Sequence, residues 1–226
     1  MKSVIALFVL VGVFWLAATA ESLDAIMARM DTASPGFRSM AAKVRKISYT
    51  AVIQDKTTEA GTLYVLRKSP RDVRLKIDFE SPDPRSVAFQ NRKYLNYLPK
   101  IQTVQEYDLG KQASLVDQFL LLGFGTSGRD LAGQYDMKLA GQETIEGTKT
   151  TRLELIPKSS KAREHLTKVE MWIPEGESYP IQQKFHQPSG DYYLTTYTDV
   201  KINPGLTEKD LDLRLPKGVK KETPQR

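Results

Sequence analysis

The chain has 226 residues, a formal net charge of +6 and no cysteine. Without cysteine no disulfide framework exists, so any stability outside the cytoplasm must come from packing. The 33 Lys and Arg are interleaved with 27 Asp and Glu, and no basic tract with stacking aromatics stands out, so nucleic acid is not an expected partner.

Residues 1–20 read as a secretory signal peptide: Lys2, an apolar run from Val4 to Ala18, then the small-x-small signal Ala18-Thr19-Ala20. The run is shorter than the ~20 apolar residues of a membrane span. Removing it leaves residues 21–226, expected as a single exported, soluble domain with a charge of +5, because Lys2 is the one charged residue lost. No Cys follows the expected cleavage site to carry acyl chains.

Ser22 is a candidate N-cap for an amphipathic helix carrying Leu23, Ile26, Met27 and Met30 and ended by Pro35-Gly36. A strand is expected from about Lys43 to Gln54. Hairpins then run through 61–68, 73–79, 86–90, 93–98 and 103–107, broken by Ser69-Pro70, Ser81-Pro82-Asp83-Pro84 and Pro99-Lys100. In Val73 to Phe79 apolar and charged residues alternate, giving one greasy and one ionic face.

After Tyr107 the period changes. Leu115, Val116, Phe119, Leu120, Leu121 and Leu122 make a helix apolar almost all round, starting near Ser114 and ended by Gly123 and Gly125. We read Ser114 to Phe124 as a lid carrying Leu115, Val116, Phe119, Leu120, Leu122 and Phe124, with Gly123, Gly125 and Gly128 as hinge glycines. Ser127 with Asp130 signals a second short helix to about Ala132. Strands resume at 135–140, 150–156, 167–173, 181–187 and 192–202, and Leu211, Leu213 and Leu215 mark a last extended segment.

About eleven strands against two or three short helices predicts a mainly β (α+β) fold. A flat sheet of eleven strands would be about 50 Å wide, while one helix covers about 10 Å. The sheet must therefore curl into an unclosed, strongly curved antiparallel barrel with a helical lid. Its apolar hollow is expected to be lined by Leu75, Ile77, Phe79, Val87, Phe89, Leu95, Tyr97, Leu153, Leu155, Val169, Met171, Ile173, Ile181 and Phe185. Arg67, Lys68, Arg71, Arg74 and Lys76 lie near one another on a hairpin and form a candidate docking patch.

No chemistry is expected. His165 and His186 lack metal-ligand spacing, and Gly123-Phe124-Gly125-Thr126-Ser127-Gly128 follows a helix rather than the strand that a dinucleotide site needs. No enzyme activity, cofactor or metal is read from the sequence.

The order of elements resembles the periplasmic outer-membrane lipoprotein carrier family (LolA-like). The resemblance spans nearly all of the chain after residue 20. It is carried by the short first helix, Gly61 to Pro70 leading into Arg74-Leu75-Lys76-Ile77, Asn91 to Pro99, the helical insert, Leu153 to Lys158, and Leu213 to Val219. It implies a periplasmic monomer that takes lipoproteins or lipids as cargo from an inner-membrane ABC transporter to an outer-membrane receptor. The alternative on the same fold is a lipid-binding sensor or regulatory module without a transport role. The family's lid is held by an arginine just before the proline of the second strand, whereas here Ser69 precedes Pro70, with Lys68 and Arg67 behind it.

Overall fold

The computed structural model describes residues 21–69, 72–110 and 122–224, and the expected signal peptide lies outside them. Helix α1 (Leu23–Ala33) starts at Ser22, whose Oγ accepts the Ala25 N–H at 3.2 Å, and runs into a 3-10 turn at Ser34–Gly36 where Pro35 prevents its continuation. Six strands follow: β1 (Ser39–Thr50), β2 (Asp55–Ser69), β3 (Asp72–Ser81), β4 (Arg85–Gln90), β5 (Lys93–Leu98) and β6 (Thr103–Asp108). Helix α2 (Gly128–Gln134), with Ser127 capping the Asp130 N–H at 3.0 Å, leads into β7 (Tyr135–Ile145) and β8 (Thr148–Pro157). After the short α3 (Ser160–Arg163) come β9 (Lys168–Pro174), β10 (Gln182–His186) and β11 (Tyr192–Ile202). The short α4 (Glu208–Leu211) and β12 (Lys220–Glu222) end the described chain.

All twelve described strands belong to one sheet in the order β12-β6-β5-β4-β3-β2-β1-β11-β10-β9-β8-β7. Every ladder among them is antiparallel except β12 on β6. The sheet curls without closing, because β12 and β7 stand at opposite edges and do not pair. The fold is thus the expected curved, unclosed, mainly β architecture, with three local corrections. The strand read as Lys43 to Gln54 ends at Thr50, since residues 51–54 form the β1–β2 turn with Gln54 at φ 52°. The segment around Leu211 is the end of a helical turn held by a Thr207/Asp210 capping box rather than an extended stretch. The twelfth strand, Lys220–Glu222, lies in a charged tail with no alternation to reveal it.

Directly opposed residues share a face, so the register defines the concave side. One row across six strands reads Leu153, Met171, Gln183, Thr195, Lys46, Glu59. Two apolar clusters occupy that side. The first joins Ile26 and Met30 of α1 and Leu131 of α2 to Leu153, Leu155, Val169, Met171 and Ile173. The second joins Phe37, Met40, Ala42, Val44, Leu63, Val65, Val73, Leu75, Phe124 and Tyr197. α4 lies on the convex side, where Glu208 pairs with Lys68 and Arg74.

Candidate functional site

The two halves of the concave side differ. Along β8 and β9, Leu153, Leu155, Val169, Met171 and Ile173 are fully buried beneath α1 and α2. This is a sealed hand. Along β2 to β6 lies an open hand, whose apolar cluster includes no side chain from a described helix. There Ile77 and Phe89 are half buried, and Phe89, Tyr94 and Tyr107 form a run of rings with centroids 4.9 and 5.6 Å apart. Burial raises the Tyr94 phenol above its usual value. Of the residues expected to line a hollow, Leu75, Ile77, Phe79, Val87 and Phe89 share the concave face of the open hand. Ile181 and Phe185 are half buried and share that face on the sealed hand, Phe185 packing against its core cluster.

Leu95 and Tyr97 do not belong with them. Asn91 and Arg92 form a two-residue turn with φ of 51° and 63°, so Phe89 opposes Tyr94 while Leu95 opposes Ala88 and Tyr97 opposes Ser86. Both therefore point to the convex face, and Tyr94 and Asn96 take their expected places on the concave one. A convex-side cavity of about 370 Å³ involves Tyr97 with Tyr64, Lys76, Asp78, Leu206 and Arg214.

The basic patch is corrected by the same alternation. Lys68, Arg74 and Lys76 lie on the convex side, where Lys68 and Arg74 meet Glu208 at 2.6 and 2.8 Å and Lys76 meets Asp78 at 3.3 Å. The Lys76 ammonium is almost buried over the Tyr64 ring. Glu208, hydrogen-bonded to Lys68 and close to Arg74, is held below the ordinary carboxylate value. These cations are neutralised rather than presented, and Arg71 lies outside the described residues.

Arg67, one residue from Lys68, points the other way. Its guanidinium donates to the carbonyls of Gly125 at 2.9 Å, Ser34 at 2.5 Å and Phe37 at 2.7 Å, and lies over the Phe37 ring. Burial, and then Arg38 nearby, lower its pKa. The position before Pro70 lacks an arginine, and Arg67 two residues earlier ties the root of the segment after residue 121 to α1 and β2. Ser34 Oγ donates to the same Gly125 carbonyl at 2.6 Å.

A second tie is buried at the centre of the sheet. Gln183 Nε2 donates to the Leu122 carbonyl at 2.7 Å, and Tyr197 Oη donates to Gln183 Oε1 at 2.7 Å. Complete burial pushes the Tyr197 phenol far up, which keeps it a neutral donor. Leu122 and Phe124 are both buried, and Phe124 meets Tyr197 edge-on at 5.0 Å. Residues Leu115, Val116, Phe119 and Leu120 of the expected lid lie outside the described residues.

The three glycines here serve close approach. A Cβ on Gly125 (φ 72°) would come within 2.4 Å of the Phe37 ring, one on Gly123 (φ 80°) within 2.8 Å of Pro180, and one on Gly128 within 2.6 Å of the Met27 carbonyl. Each lets a backbone pack where a side chain has no room. Beside this root a cavity of about 230 Å³ opens between Met30, Phe37, Phe124, Tyr179 and Ile202.

Among the described residues no group of three or more His, Cys, Asp or Glu is arranged to hold a metal ion, and no helix is long and apolar enough to cross a membrane. His186 Nε2 sits 2.7 Å from Glu170 on the convex side of the sealed hand.

Residues 79–205 match the family described as "-like: Uncharacterized protein", which is more than half of the chain. The chain belongs to that family. No curated protein sequence matches it. Among solved structures, an uncharacterized conserved protein from Thermus thermophilus is similar at 15% identity and a TM-score of 0.53, over 90% of this chain and 100% of that one. The Mycobacterium tuberculosis lipoprotein LppX is similar at 17% identity and a TM-score of 0.50, over 84% and 100%. MucB is similar at 14% identity and a TM-score of 0.50, over 84% of this chain and 62% of its own. These likenesses concern the fold alone.

Proposed function

We propose that the chain is a periplasmic carrier, one domain over residues 21–226 after loss of a signal peptide, that holds the acyl chains of lipoproteins or another lipid on the concave face of the open hand. The observation that carries this reading is the pair Ile77 and Phe89: apolar, half buried, and clustered without a side chain from a described helix. Exposed apolar area costs roughly 25 cal/mol per Å², so a surface of this kind is stabilised by an apolar occupant. In this reading the expected lid, Ser114 to Phe124, covers the face when it is empty, and cargo displaces it. The carrier would be loaded by an inner-membrane ABC transporter and would deliver to an outer-membrane receptor.

A hydrophobic half-barrel can serve more than one role, so a second reading stays in play, that of a lipid-binding sensor or regulatory module with no transport role. One experiment addresses both. Protein purified from its own periplasm is extracted with organic solvent for mass spectrometry, and the extracted lipid is offered back to apo-protein and then to acceptor vesicles. A carrier retains acyl-bearing molecules and releases them to vesicles; a sensor retains them and does not release them. Extracts free of acyl-bearing molecules would end both readings.

A further inference from the structure

The concave face of the open hand is not apolar throughout. Lys46 of β1 faces Glu59 of β2, with Nζ 3.6 Å from Glu59 Oε2. Arg85 of β4 reaches across β3 to the same carboxylate, its Nε and Nη2 at 3.1 and 2.7 Å from Glu59 Oε1. On the way the guanidinium passes over the Phe79 ring at 4.3 Å. Arg85 Nη1 continues to Asn96 Oδ1 at 3.4 Å, and Asn96 Nδ2 to Gln105 Oε1 at 3.2 Å. A polar belt thus crosses β1 to β6.

Its place along the strands is telling. Glu59 and Arg67 are eight residues apart on β2, about 26 Å at the rise of a strand. Between them on the same face stand Leu63, Val65, Leu75, Ile77 and Phe89. The concave face therefore carries an apolar stretch, buried at Leu63, Val65 and Leu75 and half buried at Ile77 and Phe89, with a latch at one end and a charged belt at the other, the order of parts in an amphiphile.

We infer that the belt binds the phosphate of an anionic phospholipid whose acyl chains lie on the apolar floor. Two cations share one carboxylate, which leaves the trio with one positive charge. A donor is also available: Lys46 Nζ stands farther from Glu59 than a hydrogen bond, and Arg85 Nη1 reaches Asn96 at a long 3.4 Å, with the Tyr94 hydroxyl as a further neighbour of the guanidinium. A planar guanidinium suits a phosphate oxygen pair. Lys46, Glu59 and Arg85 side chains are 28%, 19% and 21% exposed, so a headgroup can reach them.

This inference rests on the proposed lipid binding, and the test separates the two. Full-length protein is titrated with phosphatidylglycerol and with diacylglycerol of the same chains, by displacement of a fluorescent acyl probe. The expected preference for phosphatidylglycerol is about tenfold, the scale of one charge-assisted contact. Arg85→Gln and Lys46→Gln should abolish the preference and leave diacylglycerol affinity intact. Glu59→Gln frees both cations and should raise the preference, whereas a purely structural ion pair would show only lower thermal stability in all three variants. Equal affinity of the native protein for both lipids overturns the headgroup site and keeps lipid binding. If neither lipid displaces the probe, lipid binding itself fails and the inference with it. Displacement by inorganic phosphate at similar concentrations would make the belt a free-phosphate site and overturn the lipid assignment.

Discussion

The sealed and open hands are built from the same kind of strand, yet they differ in burial: Leu153, Leu155, Val169, Met171 and Ile173 are fully buried, while Ile77 and Phe89 stay half buried beside the buried Leu75, Phe79 and Val87. On β8 and β9 every concave position from Leu153 to Ile173 meets α1 or its neighbours and loses its water. On β3 to β5 the concave positions are just as apolar at Ile77, Val87 and Phe89, but they lead into Arg85, Asn96 and Tyr94 rather than into a described helix. The register row that begins at Leu153 and Met171 and ends at Lys46 and Glu59 passes from one regime to the other at Gln183 and Thr195. Alternation thus builds the face, and the partner laid against it decides whether the face is core or site.

The largest expected effect tests that division directly. Leu155→Asp places a charge at a position with no exposure, among Val169, Met171 and Ile26. Stranding it there costs several kcal/mol, so the variant should lose its cooperative unfolding transition in circular dichroism. Phe89→Asp lies on the half-buried floor of the open hand. It should fold, melt a few degrees lower, and fail to take up an acyl probe. If the two variants behave alike, the two hands are one core and the site is elsewhere.

Next in size is the seam where the hands meet. Gly125→Ala forces a Cβ to 2.4 Å from the Phe37 ring at a φ of 72°, and overpacking of this sort costs about 1–3 kcal/mol. The urea midpoint should fall accordingly. Because Arg67 and Ser34 hold the Gly125 carbonyl, the same variant should also quicken probe uptake if the proposed lid closes the face. A lower midpoint with unchanged uptake would make this seam a structural joint alone.

How much of this was legible in the sequence depends on which physical signal carried it. Strand alternation, the Pro and Gly punctuation, and the Ser22 and Ser127 caps are local, and they led to the right elements. The curl followed from counting strands against helices. Leu95 and Tyr97 were misplaced although the Asn91-Arg92 turn contained the answer, because two turn residues make Gln90 oppose Lys93 and so fix every later pair. The basic patch failed by the same parity, since Arg67 and Lys68 are adjacent on a strand and must diverge. The ion pair of Glu59 with Arg85 had no such signal. It joins strands separated by β3, so no pattern between neighbouring strands announces it.

The smallest expected effect concerns Glu170, on the convex side of the sealed hand and remote from the open floor. Its carboxyl is nearly buried, which by itself would raise its pKa. The hydrogen bond from His186 at 2.7 Å and the charges of Lys168 and Lys184 outweigh that and hold it below the ordinary 4.5. A carboxyl lowered on folding stabilises the native state above its unfolded pKa, and that contribution fades as pH falls through the folded one. Glu170→Gln should therefore lower the urea midpoint at pH 6, and the gap to the native protein should narrow as pH drops below 4.5. Acyl-probe affinity at pH 6 should not change, because Glu170 shares no partner with Lys46, Glu59 or Arg85. A gap that stays constant with pH would assign the loss to packing around residue 170 rather than to its charge, and an altered affinity would mean that the two hands are coupled through the sheet.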